Sequence, residues 1–213
     1  VAIGSLIFAF SSTLWLYAVQ FTPYVLSGLF GALLLSTLIG WWQHADDARG
    51  WLWLLALGLL FGLDYSVHRT NALLIPGAAA WVMLRKPLTL RSGKAWVASI
   101  GGLFAGLSVQ LLLLPISRAH PLFDLGRPDT WSRFSDYESL QQFGGGFLVT
   151  FFPRHAPLWS VQAMDFVHAF GANFGWWSGP WRFVGGVLAV FALVGAVTLW
   201  RRERRLALAF GIV

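Results

Sequence analysis

The chain contains no cysteine, which excludes a disulfide framework, a thiolate metal centre and a cysteine nucleophile together. It is also poor in charge. Only 11% of its 213 residues are charged, where soluble domains carry about 25%, while 57% are hydrophobic and 16% aromatic. The apolar residues fall in blocks rather than at period 2 or 3.6, so the composition excludes an ordinary soluble domain and describes a polytopic membrane protein. The net charge of +6 comes from short Lys/Arg clusters at the ends of apolar runs, where membrane topology signals sit, and nucleic acid is not an expected partner.

A bilayer core takes about 20 apolar residues per helix, fewer where helices shelter one another. On that measure the sequence predicts membrane helices at 1–10, 23–42, 51–63, 72–84, 95–116, 181–200 and 206–213. The expected fold is an all-α polytopic transmembrane bundle, one membrane domain over 1–213, with a loop region 117–180 that carries short interfacial helices. Val1 opens inside an apolar run, without a basic leader or a signal-peptide cleavage site, and the chain stops inside another run. It therefore reads as a fragment that begins in the tail of a membrane helix.

Orientation follows from the cations. Residues 85–94 hold four and 201–205 four more, so both segments are expected in the cytoplasm, with 43–50 beside them and with 11–22, 64–71 and 117–180 outside. The inside segments then hold nine basic and three acidic residues, and the rest of the chain six of each. Trp41, Trp42, Trp51, Trp53, Trp96 and Trp200 flank the inner boundary and Trp176, Trp177 and Trp181 the outer one, as interfacial belts do.

The outside segments hold the polar chemistry. The runs 51–63 and 72–84 form a helical hairpin whose tip places Asp64, His68 and Arg69 within six residues. Ionisable groups at that depth are costly unless they pair or line a wet cavity. Asp64 either pairs with Arg69 or His68 and ties the hairpin, or leaves Arg69 and His68 to hold a phosphate, for which guanidinium is a bidentate donor. The second region is 122–138. There Gly126 and Pro128 mark a turn, and Asp129 or Thr130 can cap a helix with Trp131 and Phe134 on one face. It reads as a solvated loop or as a sugar-binding surface, with Asp124, Asp129, Trp131 and Tyr137 supplying acceptors and rings. Val161, Met164, Val167 and Phe170 recur at helical spacing and predict an interfacial helix. Asp165 and His168 lack a nearby third ligand, so no metal-binding residue is assigned.

These residues resemble a family. Phe10-Ser11-Ser12-Thr13-Leu14-Trp15 with Ala18, Tyr24 and Leu26 form a first motif; Gly62-Leu63 leading to His68 and Ala72-Leu73-Leu74-Ile75-Pro76 form a second; Gly126, Pro128, Thr130 and Phe134 with Gln142-Phe143 form a third. In that order they are similar to the domain-of-unknown-function 2723 family, protein O-mannosyltransferase-like membrane proteins of the GT-C glycosyltransferase superfamily. The chain departs from the family pattern at Thr22, where an acid is usual, at Arg69, where a second His is usual, at Asp124-Leu125-Gly126 in place of Asn-Trp-Gly, and at Tyr137 in place of a His.

The resemblance implies a bundle of GT-C type. It further implies transfer of a mannose-like sugar from a polyprenyl-phosphate donor to an acceptor, a protein Ser/Thr or a glycan, on the extracytoplasmic face of a bacterial cytoplasmic membrane. In an inverting displacement a carboxylate takes the acceptor proton and cations stabilise the departing phosphate. The implied catalytic acid falls upstream of Val1, so the fragment is expected to be inactive alone, with Asp64, Asp124 and Asp129 as substitutes inside the chain. Arg69 with His68 is the first expectation for the phosphate and Arg118 the second. No cofactor is fixed and a divalent metal stays open. The rival reading is a transporter or assembly subunit for a lipid-linked or amphipathic substrate. Transport would need polar groups near the midplane, whereas 95–116 offers only Ser99, Ser108 and Gln110, and 181–200 only Arg182 and Thr198 near its ends.

Overall fold

A computed structural model of the chain describes residues 9, 11–20, 22–124, 126–141, 157–173 and 182–212. Among the described residues every element is helical and no strand occurs. In chain order the helices are α1 (Ser12–Ala18), α2 (Tyr24–His44), α3 (Trp51–Val67), α4 (Ile75–Arg85), α5 (Gly93–Leu107), α6 (Leu113–Arg118), α7 (Trp131–Glu138), α8 (Met164–Asn173), α9 (Arg182–Arg202) and α10 (Arg204–Ile212). Short 3₁₀ turns at Arg69–Leu74, Pro87–Arg91 and Ser108–Leu112 lead into α4, α5 and α6.

Among the described residues two helices are long and apolar enough to cross a membrane: Tyr24–His44, of 21 residues, and Gly93–Arg118, of 26 residues, in which α5, the 3₁₀ turn and α6 follow without a break. Trp51–Val67 and Asn71–Arg85 are shorter apolar helices. Helix α9 covers the expected run at 181–200 and has no charged residue between Arg182 and Arg201. Most of the run 1–10, and Trp176, Trp177 and Trp181 of the expected outer belt, lie outside the described residues. Within the segment 11–22, expected as a loop, α1 forms because the Ser11 hydroxyl caps it, accepting from the Leu14 N–H.

The chain divides into two compact units, one of residues 1–107 and 166–213 and one of residues 108–165. In the first, Leu34, Leu38 and Trp41 of α2 meet Leu54, Leu57 and Phe61 of α3 and Ala78, Trp81 and Val82 of α4, with Ala209 of α10 fully enclosed. Trp41 corrects the expected belt. Spaced three and seven residues beyond Leu38 and Leu34, it lies on the buried stripe of α2 and is 2% exposed. Trp96 is half exposed, with its indole N–H donated to the Leu90 carbonyl at 2.8 Å.

Helices α3 and α5 approach most closely, through glycine. A Cβ placed on Gly62 would stand 2.7 Å from the Leu107 nitrogen and 2.8 Å from the Gly106 Cα, and one on Gly58 would meet the Ser99 carbonyl. The facing glycines answer in kind, Gly102 against Leu55 and Leu59 and Gly106 against Leu59 and Leu63. Contacts that ascend together in number show that the two helices run parallel. Small residues four apart on both let the backbones touch, the usual means of holding helices where lipid competes for apolar side chains.

At the far end of α2 its last carbonyls are claimed by cations. Arg85 Nε donates to the Trp42 carbonyl at 3.0 Å and Lys86 Nζ to the Ala45 carbonyl at 2.9 Å. Both side chains also reach Asp46, Arg85 at 2.7 Å and Lys86 at 3.0 Å. Hydrogen bonds from Lys86 and then Arg85, with their charges, hold the Asp46 carboxyl below the usual carboxylate range. Cations at a helix C-terminus satisfy orphan carbonyls and oppose the macrodipole, and here they tie loop 43–50 to loop 85–94.

Candidate functional site

The apolar run of α3 does not stop at Leu63. The helix continues to Val67, which puts Asp64 in its last turn, wholly enclosed at 0% exposure. His68 then leaves the helix with extended backbone (φ −148°, ψ 100°), its N–H still bonded to the Asp64 carbonyl at 2.7 Å. The 3₁₀ turn that follows brings Asn71 back beneath it. Asn71 Nδ2 donates to both Asp64 oxygens, at 3.0 and 2.9 Å, and to Ser27 Oγ of α2 at 2.7 Å.

Asn71 is thus a hydrogen-bond partner of Asp64 beyond the expected tie, while the charge of His68 also acts on the carboxylate. A neutral amide satisfies a buried carboxylate without burying a second charge. Arg69 instead lies over the Tyr65 ring at 5.9 Å, one turn along from it in sequence. The His68 ring packs on Tyr24 of α2 with centroids 5.4 Å apart, and Tyr24 on Tyr17 at 4.9 Å. The tip therefore joins a cation, an imidazole and a row of aromatic rings above one buried carboxylate. Ser27 and Asn71 were not singled out from the sequence. The available signal was a hydroxyl in an otherwise apolar run and an amide closing a polar one, each of which needs a partner when buried.

The unit 108–165 holds the remaining predicted residues. Ser117, buried in α6, donates to Asp124 Oδ2 at 2.7 Å. The chain turns through Gly126 and Arg127 at positive φ, 77° and 43°. Of the two expected caps, Thr130 serves: its hydroxyl accepts from the Arg133 N–H and starts α7. Trp131, 64% exposed, meets Phe134 edge-on at 6.0 Å, as their spacing predicts. Arg133 Nη1 reaches both Asp129 oxygens at 2.9 and 3.0 Å, and Arg118 Nε donates to the Asp129 carbonyl at 2.8 Å. Lost hydration raises the Asp129 carboxyl, but the Arg133 bonds and charge, with Arg127 nearby, outweigh it and leave the group below its ordinary value. A carboxylate held down by arginine is a weak proton acceptor, and Asp124 is committed to Ser117. Tyr137 is half-buried near the end of α7. Asp165 and His168 lie exposed on α8, and among the described residues no three His, Asp or Glu stand together as metal ligands.

Fold and site together define a helical protein compatible with a membrane, with its charged chemistry gathered at helix ends. Residues 1–92 match the family described as the protein O-mannosyl-transferase TMEM260 N-terminal domain. The match takes in α1 to α4 and the hairpin tip, hence the first two sequence motifs; the third lies beyond it. It supports an O-mannosyltransferase-like protein and suggests a glycosyltransferase. No curated protein and no solved structure matches the chain.

Proposed function

We propose that the protein is a multi-pass membrane glycosyltransferase of GT-C type that transfers a mannose-like sugar from a polyprenyl-phosphate donor to a protein Ser/Thr or glycan acceptor at the extracytoplasmic face. The observation that carries the reading is the family match over residues 1–92, which contains the hairpin tip. The ends of the first unit support the topology. The loops expected in the cytoplasm are joined by Asp46 with Arg85 and Lys86, and the opposite end of the 23–42 run is joined to the segment 64–71, expected outside, by Ser27, Asn71 and Asp64. Helices α3 and α5 run parallel, as two spans separated by one crossing must.

At the tip, Arg69 and His68 receive the donor phosphate, and Arg118, which closes the apolar helix Gly93–Arg118, is the second candidate for that role. Negative charge grows on the phosphate oxygens as the glycosidic bond breaks, so a guanidinium placed there lowers the barrier. Trp131 and Tyr137, with Asp124 and Asp129, belong to the acceptor side, where rings stack on sugar or peptide and the paired carboxylates hold the loop in shape.

The test is Arg69 in the protein in its native membranes, with polyprenyl-phosphate mannose as donor. Arg69→Ala should lower turnover by about 10² to 10³, the usual loss of one transition-state contact to a developing anion. Arg69→Lys should recover only part, because a point charge replaces a planar fork. Normal turnover of Arg69→Ala with only a lowered melting temperature would refute the assignment and leave Arg69 a structural residue.

A further inference from the structure

Three elements of the first unit meet at one amide. Asn71 Nδ2 lies 2.7 Å from Ser27 Oγ in the first turn of α2 and about equally far, 2.9 and 3.0 Å, from the two carboxylate oxygens of Asp64 in the last turn of α3. The two amide protons divide between these acceptors, which fixes the side chain's orientation, since a carboxylate can be met only by the NH₂ end. Between Asp64 and Asn71 the chain carries His68 and Arg69. That segment is fastened at both ends to the same residue, by His68 N–H to the Asp64 carbonyl at 2.7 Å and by Asn71 to the Asp64 carboxylate. A second tie lies three residues before Ser27, where Tyr24 packs on the His68 ring. Tyr24 and Ser27 share a face of α2 at i and i+3, so the tip is docked on that helix at two points.

We infer that Ser27, Asp64 and Asn71 form a positioning clamp that sets His68 and Arg69 toward an anionic phosphate at this end of the bundle. The inference rests on the phosphate reading of Arg69 and goes beyond it by assigning three residues that make no contact with the ligand themselves. A fully enclosed carboxylate costs free energy unless its partners are in place. It therefore enforces the one turn geometry in which Asn71 reaches it, and a flexible tip becomes a fixed one. Preorganised cations bind an anion without spending affinity on ordering.

The experiment measures binding of a polyprenyl monophosphate to the protein in nanodiscs, with the corresponding polyprenol as the uncharged control. Asn71→Ala should weaken phosphate binding about tenfold and leave polyprenol unchanged, and Ser27→Ala, which frees α2 but keeps the Asp64–Asn71 bond, should weaken it less. Because Asn71→Ala strands a buried charge and can unfold the tip, the decisive variant is the exchange Asp64→Asn with Asn71→Asp. It restores an amide–carboxylate pair in reverse and should return affinity to within about threefold of the unaltered protein. Loss of binding in Arg69→Ala with full binding in Asn71→Ala overturns the clamp and keeps the phosphate site. Full binding in Arg69→Ala, or none by the unaltered protein, overturns the phosphate site and the clamp with it. An exchange variant that folds yet binds as poorly as Asn71→Ala also overturns the clamp.

Discussion

Adjacent glycines on α5 should respond in opposite directions to the same substitution. A Cβ on Gly102 would stand 2.8 Å from the Leu59 nitrogen and 3.2 Å from the Leu55 carbonyl carbon, and closer still to the Leu55 carbonyl oxygen, whereas one on Gly101 meets nothing within 4 Å. Bringing the Leu59 contact alone to 3.4 Å requires α3 and α5 to part by about 0.6 Å. The atoms in the way are backbone and cannot rotate aside. Parting the helices also lengthens the neighbouring contacts at Gly58, Gly62 and Gly106, so Gly102→Ala should cost about 1–3 kcal/mol, the range for overpacking a close interface. Gly101→Ala fills open space and removes a flexible residue from a helix interior, which should stabilise by about 0.5–1 kcal/mol. Reversible unfolding of both variants in mixed micelles, with a denaturing detergent as titrant, measures the difference, expected at about 1.5–4 kcal/mol between neighbouring positions. Equal shifts in the two variants would show that the helices part freely and that the glycine contact does not hold them.

Two further outcomes follow from the helix ends. On this cysteine-free chain, a single Cys at Leu122, 92% exposed, should react with an impermeant thiol reagent in intact cells, and one at Ser92 should not; labelling at Ser92 refutes the orientation. Asp46, whose carboxyl is held low by Lys86 and Arg85, contributes stability that is complete above the ordinary carboxylate range and lost only as pH falls through its lowered value. Thermal unfolding of the unaltered protein and Asp46→Asn should therefore differ by a constant amount from neutral to mildly acidic pH and converge only in strong acid; convergence already near pH 6 would sink the pairing.

The helical blocks were legible because their cause is local. A run without charges between basic clusters has few ways to satisfy its backbone other than as a helix, and among the described residues α2, α3, α4, α5, α9 and α10 fall on the predicted runs, with α3 extended from Leu63 to Val67, whereas α1 forms in the expected loop 11–22. The Thr130 cap and the Trp131–Phe134 pair were legible for the same reason, since each depends on residues three or four apart. Trp41 was misplaced because a tryptophan beside a basic loop fits both a belt and a core, and only the neighbours packed on α2 distinguish them.

The partner of Asp64 belongs to a different kind of question. Charge alone favours Arg69 or His68, both within five residues of it. The 3₁₀ turn after His68 reverses the chain and brings the Asn71 amide to the carboxylate. Whether that amide can also hold α2 depends on Ser27, 44 residues away in sequence, and no local pattern carries such a distance. The site is thus readable in its chemistry, a cation and an imidazole at the end of an apolar hairpin, and unreadable in its support. The support decides whether the chemistry is held in place. Substitutions at Ser27 and Asn71, neither of which carries charge, should therefore disturb phosphate binding more than removal of the exposed charges Asp136 or Arg205, which have no part in holding the tip.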